Sequence, residues 1–560
     1  LYEKNIANYE FVKTRYENDG RGRYIIVTPD SYYPYVLPLA EWKHMSGMEV
    51  EIAKLSEIGS SSSSIKSYLQ NAYDTWPSPP EFVLLVGDTE QLPTGSGGDD
   101  YYAKLAGSDY VVDIDLGRFS CDTTTQCELL VAKTLGYKRT PYMDDPTWFK
   151  KACLIVRDDY DPPDDAIYYG DTWHAYDLME GAGYTHIDTL FRKDGADYND
   201  VHAAVTDGRT FVNYRGQGVS NWWSPFDCNP GSTNPGYKLP VVMSATCGTG
   251  NYSSDGYPCE TWMRAGTVSS PKGSVGFVAT YEIVSGGAHL RSCVNQGFYS
   301  AIFNLRLYTL ATALNHGKLQ LYQLYGDQDE YEAWSTQGDP ALDVWTDTPA
   351  AITVSHASSV PNGNSNLVVE VEDAGAPVQG AAVCAYMPGE VYEVAATNAS
   401  GVASLSISPS MSDTVWITVT GHNLHPYEGH AEVTLSGPFL DYGDHLVDDS
   451  STGNGDGLVS PGETVDLTVG IANVGPDPAY SVSATLENSD PYVALVDSVA
   501  SYGDIPNGST VQNASPYVFT VAADCPDGAG LSMSLDASDG SRGNWTVALP
   551  EIAVSAADLS

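Results

Sequence analysis

The chain has 560 residues, and its 27 Lys plus Arg against 72 Asp plus Glu give a formal net charge of −45 at pH 7. This length exceeds what one hydrophobic core supports, so we expect three or four domains. Such an acidic chain is a poor partner for nucleic acid or for an anionic membrane surface, and its charge suits an extracellular or cell-surface protein. No apolar run approaches the roughly 18 residues of a membrane span, so no transmembrane segment is predicted.

The chain alternates between short apolar runs and helical patterns up to about residue 348. Helical spacing covers 65–76, and the serine run before it is interpreted as a loop that caps the helix. The alternation is typical of a mostly parallel sheet with helices on both faces. We predict an α/β domain in two sheet-bearing halves, 1–145 and 146–348. The predicted strands are 23–29, 48–55, 81–88, 152–159, 185–191, 210–216, 239–247 and 273–281.

The pattern changes after residue 348. Apolar and polar residues alternate, turn residues recur about every ten positions, and no helical pattern is convincing. We predict two all-β immunoglobulin-like sandwiches, at 349–437 and 438–560.

Two predicted strands of the α/β domain end in residues that suggest a hydrolase. One is followed by a glutamine between two glycines, Gln217, and the other ends at Cys247 before a glycine. In open parallel sheets the functional crevice lies beyond the carboxyl ends of the strands. The amide of Cys247 would point into that crevice and help to stabilise an oxyanion. A buried core residue is nevertheless the commonest fate of a cysteine, so residue type alone leaves both interpretations open.

The nine cysteines are an odd number, which in a secreted chain suggests disulfide pairs plus at least one free thiol. Two pairings are open from spacing, Cys121 with Cys127 and Cys228 with Cys259. No Cys-x-x-Cys pair occurs, so a structural zinc site is not expected.

Six stretches carry a family resemblance: "FVLLVGD", "LGRF", "NYRGQG", "VVMSATCGTGNY", "PCETWMRA" and "QGDPAL". Their order and spacing resemble the gingipain family of secreted cysteine peptidases, which have a caspase-like fold. The likeness covers roughly residues 20 to 348 and extends to the sandwich that follows. It implies a cysteine endopeptidase of protein or peptide substrates, outside the cell or at its surface.

The resemblance also implies roles for individual residues. In the family the cysteine at the position of Cys247 is the nucleophile, and the histidine of a Gly-His-Gly motif is its base. Carried over, the base falls at position 217 and the oxyanion hole at the amides of Gly218 and Cys247. An acidic residue after an earlier strand orients the histidine, and either Asp158 or Asp159 matches it. A solvated turn explains these two aspartates equally well.

The resemblance places the first specificity pocket beside the cysteine, at about Tyr281 to Gly287. Glu282 in this segment would attract a basic side chain if it faced inward, and it would contribute nothing if it faced solvent.

Position 217 departs from the family, because it holds Gln instead of His. Glutamine has no group that titrates near neutral pH, so it can neither take the thiol proton nor return one to the leaving amine. A free thiol has a pKa near 8.5 and is only a few per cent ionised at pH 7. Loss of a general base alone costs about 10²–10⁴ in rate. We therefore expect an inactive or strongly impaired peptidase.

Three interpretations of Gln217 stay open: a natural pseudoenzyme, an engineered inactivation, or another histidine that replaces the base. Five candidates lie in the domain, His174, His186, His202, His289 and His316, and none of them is in a motif that marks it as a replacement. The rival class is non-enzymatic, a pseudo-peptidase that serves as a surface scaffold, adhesin or assembly subunit.

A second chemical signal is "DDSSTGNGDGLVSPGE" at 448–463, which has the ligand spacing of a calcium loop. The dense oxygen ligands favour a structural calcium ion over a plain hydrophilic turn. The predicted ligands are Thr452, Asn454, Asp456 and Glu463, with Asp448 or Asp449 supplying the carboxylate that Thr452 lacks.

Overall fold

The computed structural model describes residues 22–282, 287–450, 453–540 and 543–555. In the first part of the chain ten strands form one sheet and two form a separate ladder. The strands are β1 (Arg23–Thr28), β2 (Glu49–Lys54), β3 (Pro80–Val86), β4 (Asp115–Phe119), β5 (Lys151–Val156), β6 (His186–Phe191), β7 (Phe211–Arg215), β8 (Val241–Ala245), the separate pair β9 (Gly266–Thr267) and β10 (Ser270–Pro271), β11 (Gly276–Thr280) and β12 (Trp334–Gln337).

Helices connect these strands. They are α1 (Tyr33–Met45), α2 (Leu55–Ile58), α3 (Ser62–Thr75), α4 (Asp100–Ala103), α5 (Thr124–Lys138), α6 (Pro162–Gly181), α7 (Tyr198–Asp207), α8 (Pro258–Met263), α9 (Ala288–Phe303), α10 (Leu310–Tyr325) and α11 (Gln328–Ala333).

The sheet has the order β2-β1-β3-β4-β12-β11-β8-β7-β5-β6, and every neighbouring pair is parallel except β11 with β12. One core, on one face, contains side chains of α1, α5, α7 and α8, and two cores on the other contain side chains of α3, α6, α9 and α10. Strands covered on both faces are buried along their length, which explains their continuous apolar runs. The predicted α/β fold is confirmed.

The two predicted halves are joined more closely than the sequence suggests. β12 returns after α11 and lies between β4 of the first half and β11 of the second, so both halves share one continuous sheet. The strand at 334–337 is only four residues long and was not predicted.

The serine run at 60–64 caps α3 as predicted, but its last three residues form the first turn of the helix and only Ser60 and Ser61 lie outside it. Ser61 is the N-cap and its hydroxyl accepts the backbone N–H of Ser64 at 3.1 Å, while the Ser64 hydroxyl accepts that of Ser61 at 3.1 Å. This reciprocal capping box lets the helix begin at Ser62.

The first sandwich consists of two sheets around one apolar core. Burial alternates along its strands because only one face of each sheet is covered. The strands are β13 (Thr353–His356), β14 (Ser359–Pro361), β15 (Ser365–Asp373), β16 (Ala376–Pro377), β17 (Ala382–Met387), β18 (Val391–Ala396), β19 (Val402–Ile407), β20 (Thr414–Thr420) and β21 (Tyr427–Thr434).

The second sandwich has its own core and, in the described residues, sheets of five and four strands plus the separate pair Gly530–Leu531 and Ile552–Ala553. The strands are β22 (Leu440–Asp448), β23 (Thr464–Asn473), β24 (Ala479–Asn488), β25 (Val493–Asp497), β26 (Val499–Ile505), β27 (Thr510–Gln512), β28 (Tyr517–Val521), β29 (Gly530–Leu531), β30 (Met533–Ser538), β31 (Asn544–Ala548) and β32 (Ile552–Ala553). The boundaries predicted after 145, 348 and 437 lie between these elements, and the division into four domains stays a prediction.

All nine cysteines are free thiols, so neither disulfide that the spacing left open is formed. Cys121, Cys127, Cys228 and Cys259 are packed in one apolar core, where they serve as small apolar side chains. Within the described ranges, no helix combines the length and apolar character that crossing a membrane requires.

Candidate active site

Gln217 and Cys247 lie at matching positions at the carboxyl edge of the sheet. β7 and β8 are neighbouring parallel strands, with Arg215 opposite Ala245. Each predicted site residue lies just beyond this pair, at the edge where parallel sheets place ligands. Gln217 is exposed, and Cys247 is the only one of the nine cysteines that is not buried.

The two glycines that flank Gln217 allow a turn that packs tightly on its neighbours. Gly216 has φ +145°, and a Cβ there would lie 2.7 Å from the carbonyl oxygen of Arg157. A Cβ on Gly218 would lie 2.8 Å from the carbonyl oxygen of Asn221 and 3.1 Å from Cγ2 of Thr246. Only glycine fits without a shift, so the turn is held against the ends of β5 and β8.

The backbone of Gln217 is fixed while its side chain is exposed. The Tyr214 hydroxyl donates to the Gln217 carbonyl at 2.6 Å, and the Trp223 N–H donates to the same carbonyl at 3.2 Å. Behind this turn the buried Trp222 stacks on Tyr214 at 4.6 Å and donates from Nε1 to Oγ of Ser244 at 2.8 Å. Position 217 is therefore presented on a rigid loop.

The turn after Cys247 is held by the end of β11. Oγ1 of Thr280 donates to the Thr246 carbonyl at 2.6 Å and accepts the Gly248 N–H at 2.9 Å. Within the described part of the chain, the N–H groups of Gly218 and Cys247 donate no hydrogen bond. Gly218 is buried and Cys247 is half-buried. Because buried N–H groups are almost always paired, an unpaired donor at Gly218, together with that of Cys247 at the neighbouring strand end, suits the binding of an oxyanion.

Asp158 follows β5, which is the neighbour of β7. The Arg157 N–H donates to the Arg215 carbonyl at 2.8 Å, which carries the pairing past the end of the strand. Asp158 is only 7% exposed, and among the described residues its Oδ1 has no hydrogen-bond partner. Asp159 differs, because its carboxylate is paired with the Arg157 guanidinium. Burial raises the Asp159 pKa, and Arg157 opposes that rise.

A buried ion pair that the sequence analysis missed lies beneath the turn. Nε of Arg215 is 2.7 Å from Oδ2 of Asp171, and both side chains are buried. The guanidinium also donates to the carbonyls of Ala245 at 2.7 Å and Ala288 at 3.1 Å. Arg215 thus joins the ends of β7 and β8 to the start of α9. The available signal was an arginine inside an otherwise apolar strand, directly before the Gly-Gln-Gly turn.

The predicted specificity segment is described only in part. Tyr281 is half-buried, its ring contacts that of Tyr252 at 4.7 Å, and burial raises its pKa. Glu282 is exposed, and residues 283–286 lie outside the described residues. An inward-facing Glu282 therefore receives no support.

The histidines of the domain have other contacts. Among the described residues none forms a hydrogen bond with Cys247. The contacts are His289 with the Tyr325 ring at 5.1 Å, His174 with Ser300 at 3.0 Å, His186 with Asp188 at 2.8 Å and His202 with the Asn229 N–H at 3.2 Å, while burial lowers the pKa of both His202 and His316.

The predicted calcium loop folds around Asp449. This buried carboxylate accepts the N–H groups of Gly455 at 2.8 Å, Asp456 at 3.1 Å and Gly457 at 3.0 Å. Burial alone would raise the Asp449 pKa, but the bonds from Gly457 and Gly455 hold it below its ordinary value.

Glu463 closes the other end of the loop and accepts the N–H groups of Asn454 at 3.1 Å and Ser460 at 3.0 Å. Thr452 lies outside the described residues, and Asp448 accepts the Ser450 N–H at 2.9 Å. The predicted ligand atoms are all oxygen, as a hard cation requires. The calcium site stays a prediction.

Carboxylates also cluster near the ends of β3 and β4. Asp88, Glu90 and Asp122 form one group whose oxygens lie within 4.8 Å of one another, and Asp88, Asp255 and Glu260 form another. Arg264 pairs with four of these five acids, at 2.7 to 3.1 Å. This guanidinium already supplies a cation to both groups.

Comparison with known proteins supplies an independent finding. The family model "Peptidase family C25" matches residues 17–345. Gingipain R2 of Porphyromonas gingivalis is 24% identical over 446 residues, which cover 76% of this chain and 59% of that protein. Lys-gingipain W83 of the same species is 22% identical over 464 residues, which cover 74% of this chain and 26% of that protein. The chain thus spans less than two thirds of these relatives.

Solved structures agree on the fold. The crystal structure of the Arg specific cysteine proteinase gingipain R matches with a TM-score of 0.66 at 20% identity, covering 74% of this chain and 98% of that one. A complex of RgpB pro- and mature domains from Porphyromonas gingivalis matches with a TM-score of 0.67 at 21% identity, covering 74% and 100%. At this identity the likeness concerns the fold alone, and it confirms the gingipain-like architecture.

Proposed function

We propose that this chain, which belongs to peptidase family C25, is a gingipain-like cysteine endopeptidase that Gln217 leaves inactive or strongly impaired. The proposal rests mainly on the positions of Cys247 and Gln217. Each lies two residues beyond the paired residues Arg215 and Ala245 of adjacent parallel strands. A thiol that reaches solvent, beside two free backbone donors, is the minimum equipment for acyl transfer.

The chemistry assigns a role to each of these groups. Sγ of Cys247 attacks the carbonyl carbon of the scissile peptide bond, and the N–H groups of Gly218 and Cys247 receive the developing oxyanion. Collapse gives a thioester and releases the amine, which must gain a proton. Water then attacks the thioester and releases the acid. Gln217 can hydrogen-bond the reacting groups but moves no proton, so thiol ionisation and amine departure are both slow.

Asp158 supports the view that the site descends from an active one. A histidine at 217 would need an acceptor for its second ring nitrogen, and Asp158 keeps one buried oxygen free. A buried acceptor without a partner costs about 1–3 kcal/mol. Asp159 also keeps one such oxygen, but it is paired with Arg157, whereas Asp158 forms no ion pair among the described residues and is the acceptor we assign to that histidine.

The substrate class that follows is protein or peptide. Two of the similar proteins are an Arg specific cysteine proteinase and Lys-gingipain W83, but the exposed Glu282 gives no support to a basic preference here. We place the protein outside the cell or at its surface, because the net charge of −45 and the likeness to gingipains favour that location.

The test is alkylation of the chain as it stands by a peptidyl chloromethyl ketone, read by intact mass and peptide mapping. We expect one adduct, at Cys247, formed faster than the adduct of a small alkylating agent of equal intrinsic reactivity. Cys247→Ala serves as the control and should take no adduct. Equal rates for the peptidyl and the small reagent would favour the non-enzymatic scaffold, which needs no substrate cleft.

A further inference from the structure

Two exposed aromatic side chains flank the candidate site, and the chemistry described so far leaves them unused. Trp223 is 43% exposed and Tyr160 is 77% exposed. Trp223 directly follows the buried Trp222, and Tyr160 directly follows Asp158 and Asp159. Both rings therefore belong to segments that already carry site residues.

Each ring is backed by an arginine that is itself fixed. Cζ of Arg157 lies 5.4 Å from the Trp223 ring centre, and Nε of Arg157 donates to the Ser224 carbonyl at 2.9 Å. Cζ of Arg192 lies 4.4 Å from the Tyr160 ring centre, and Nη1 of Arg192 donates to the Asp158 carbonyl at 2.6 Å. Cation–π contacts of this kind order exposed rings, so a ligand that binds them loses less entropy.

The backbone of Tyr160 is strained. Its φ of +62° lies in the left-handed region, which is unfavourable for a residue other than glycine. A ring with most of its surface in solvent recovers little of that cost by packing. Strained residues of this kind cluster at ligand sites, so the outlier points to a role in binding.

The position of Trp223 indicates which side of the scissile bond its ring would contact. In an active site, the side chain at position 217 would be the acid that protonates the leaving amine. It must therefore lie within hydrogen-bond reach of that amine. The Trp223 N–H is bonded to the Gln217 carbonyl at 3.2 Å. Trp223 is therefore next to position 217, and we assign its ring to the leaving-group side of the scissile bond.

We propose that Trp223, together with Tyr160 of the turn at 157–160, forms a subsite for a large aromatic or aliphatic side chain just after the scissile bond. The inference rests on the proposed peptidase function and adds a substrate preference to it. Exposed tryptophan and tyrosine are the usual anchors of peptide recognition, because they bury a large apolar area with few rotatable bonds.

The test uses two peptidyl epoxides that differ only in the residue beyond the epoxide, Phe or Ala. The Cys247 thiolate opens the epoxide, so labelling needs no general base at 217. Each labelling rate is divided by the iodoacetamide rate of the same protein, which corrects for thiol access. We expect the Phe probe to label about tenfold faster than the Ala probe. Trp223→Ala should reduce that ratio to about one, and Trp223→Phe should keep most of it.

Trp416→Ala is the matched control, since Trp416 is 45% exposed but lies on β20 of the first sandwich. A ratio of one in the parent chain, a ratio unaffected by Trp223→Ala, or labelling by neither epoxide would overturn the subsite. Cleavage by Gln217→His without a Phe preference would refute the subsite alone. A Phe preference that depends on Trp223, without such cleavage, would refute the peptidase alone.

Discussion

At the scale of single residues, Asp158 and Asp159 show how neighbouring carboxylates acquire different roles. Both carboxylates keep one buried oxygen without a hydrogen-bond partner among the described residues, but Asp159 is also paired with the Arg157 guanidinium. Asp158 forms no such ion pair in the described part of the chain, so we assign it the orientation of an imidazole at 217. The sequence left the choice between them open because adjacent residues of a turn look alike until their partners are known.

This difference yields a prediction in a Gln217→His background. Asp158→Asn should lower kcat/KM for a peptide substrate by at least about tenfold, because the imidazole loses its acceptor. Asp159→Asn is the matched control and should cost less than about threefold. Equal losses in the two variants, measured by steady-state kinetics, would contradict the assignment of Asp158.

Asp115 gives a pH prediction. It accepts hydrogen bonds from Thr312 and from Nδ2 of Asn315, and burial raises its pKa to about 7. The folded chain therefore binds more protons than the unfolded chain between about pH 4 and pH 7. Protonation of Asp115 therefore adds to the unfolding free energy at low pH. This contribution is complete below about pH 4, decreases as the pH rises, and is lost above about pH 7.

Asp115→Asn removes that loss. Relative to the parent, the variant should gain on the order of 1–4 kcal/mol in unfolding free energy between pH 4 and pH 7. Urea unfolding at a series of pH values measures the difference, with the exposed Asp194→Asn as control. A constant difference between parent and variant across this range would refute the raised pKa.

At the scale of elements, the Arg215–Asp171 pair joins two strand ends and the first turn of α9. Removing one partner leaves a buried charge unpaired, so Asp171→Asn should destabilise the α/β unit by about 3–5 kcal/mol. The double variant Arg215→Met, Asp171→Leu should recover most of that loss. Thermal and urea unfolding measure both, and a double variant no better than the single one would contradict the pairing.

The loop between β22 and β23 carries the calcium prediction. Calcium should bridge carboxylates that, among the described residues of the loop, accept backbone N–H groups, so chelator should lower the melting temperature of the parent chain. Asp456→Ala should abolish that difference, and Asp466→Ala on β23 is a control outside the loop. An unchanged melting temperature on chelation would favour the plain hydrophilic turn.

Several elements could be predicted from the sequence for a physical reason. β5, β8 and β11 are buried on both faces, so each is mostly apolar, and β7 is equally buried although it includes Asn213 and Arg215. β12 was missed because its place is fixed by β4 and β11, which are distant in sequence. The serine run was misread because a capping box converts residues that favour loops into a first helical turn.

At the scale of the whole molecule, the first sandwich is attached to the α/β unit by specific contacts. The His44 ring stacks on Tyr392 at 4.1 Å, and Arg139 pairs with Glu428 at 2.6 Å. Local sequence patterns cannot predict such contacts, since each joins residues hundreds of positions apart. Composition and the alternation of apolar and polar residues were enough to predict an α/β unit followed by β-sandwiches. These patterns reflect whether one or both faces of a sheet are buried.

Cys247, Gln217 and Gly218 were found because a motif places them at strand ends. Trp223 and Arg215 escaped because their significance depends on partners in other elements. A motif does not show whether the assembled site retains peptidase activity. That has to be measured on the whole chain.

The central claim is that a complete peptidase site lacks only its base, and Gln217→His tests it most directly. Gly216 and Gly218 already provide the backbone turn, and Asp158 provides an acceptor. We predict that kcat/KM on a broad peptide library, or the rate of self-cleavage, rises about 10²–10⁴-fold. The gain should vanish when Cys247→Ala is added. A purified Gln217→His protein with neither turnover nor increased thiol reactivity at pH 7 would contradict the claim and favour a non-enzymatic scaffold.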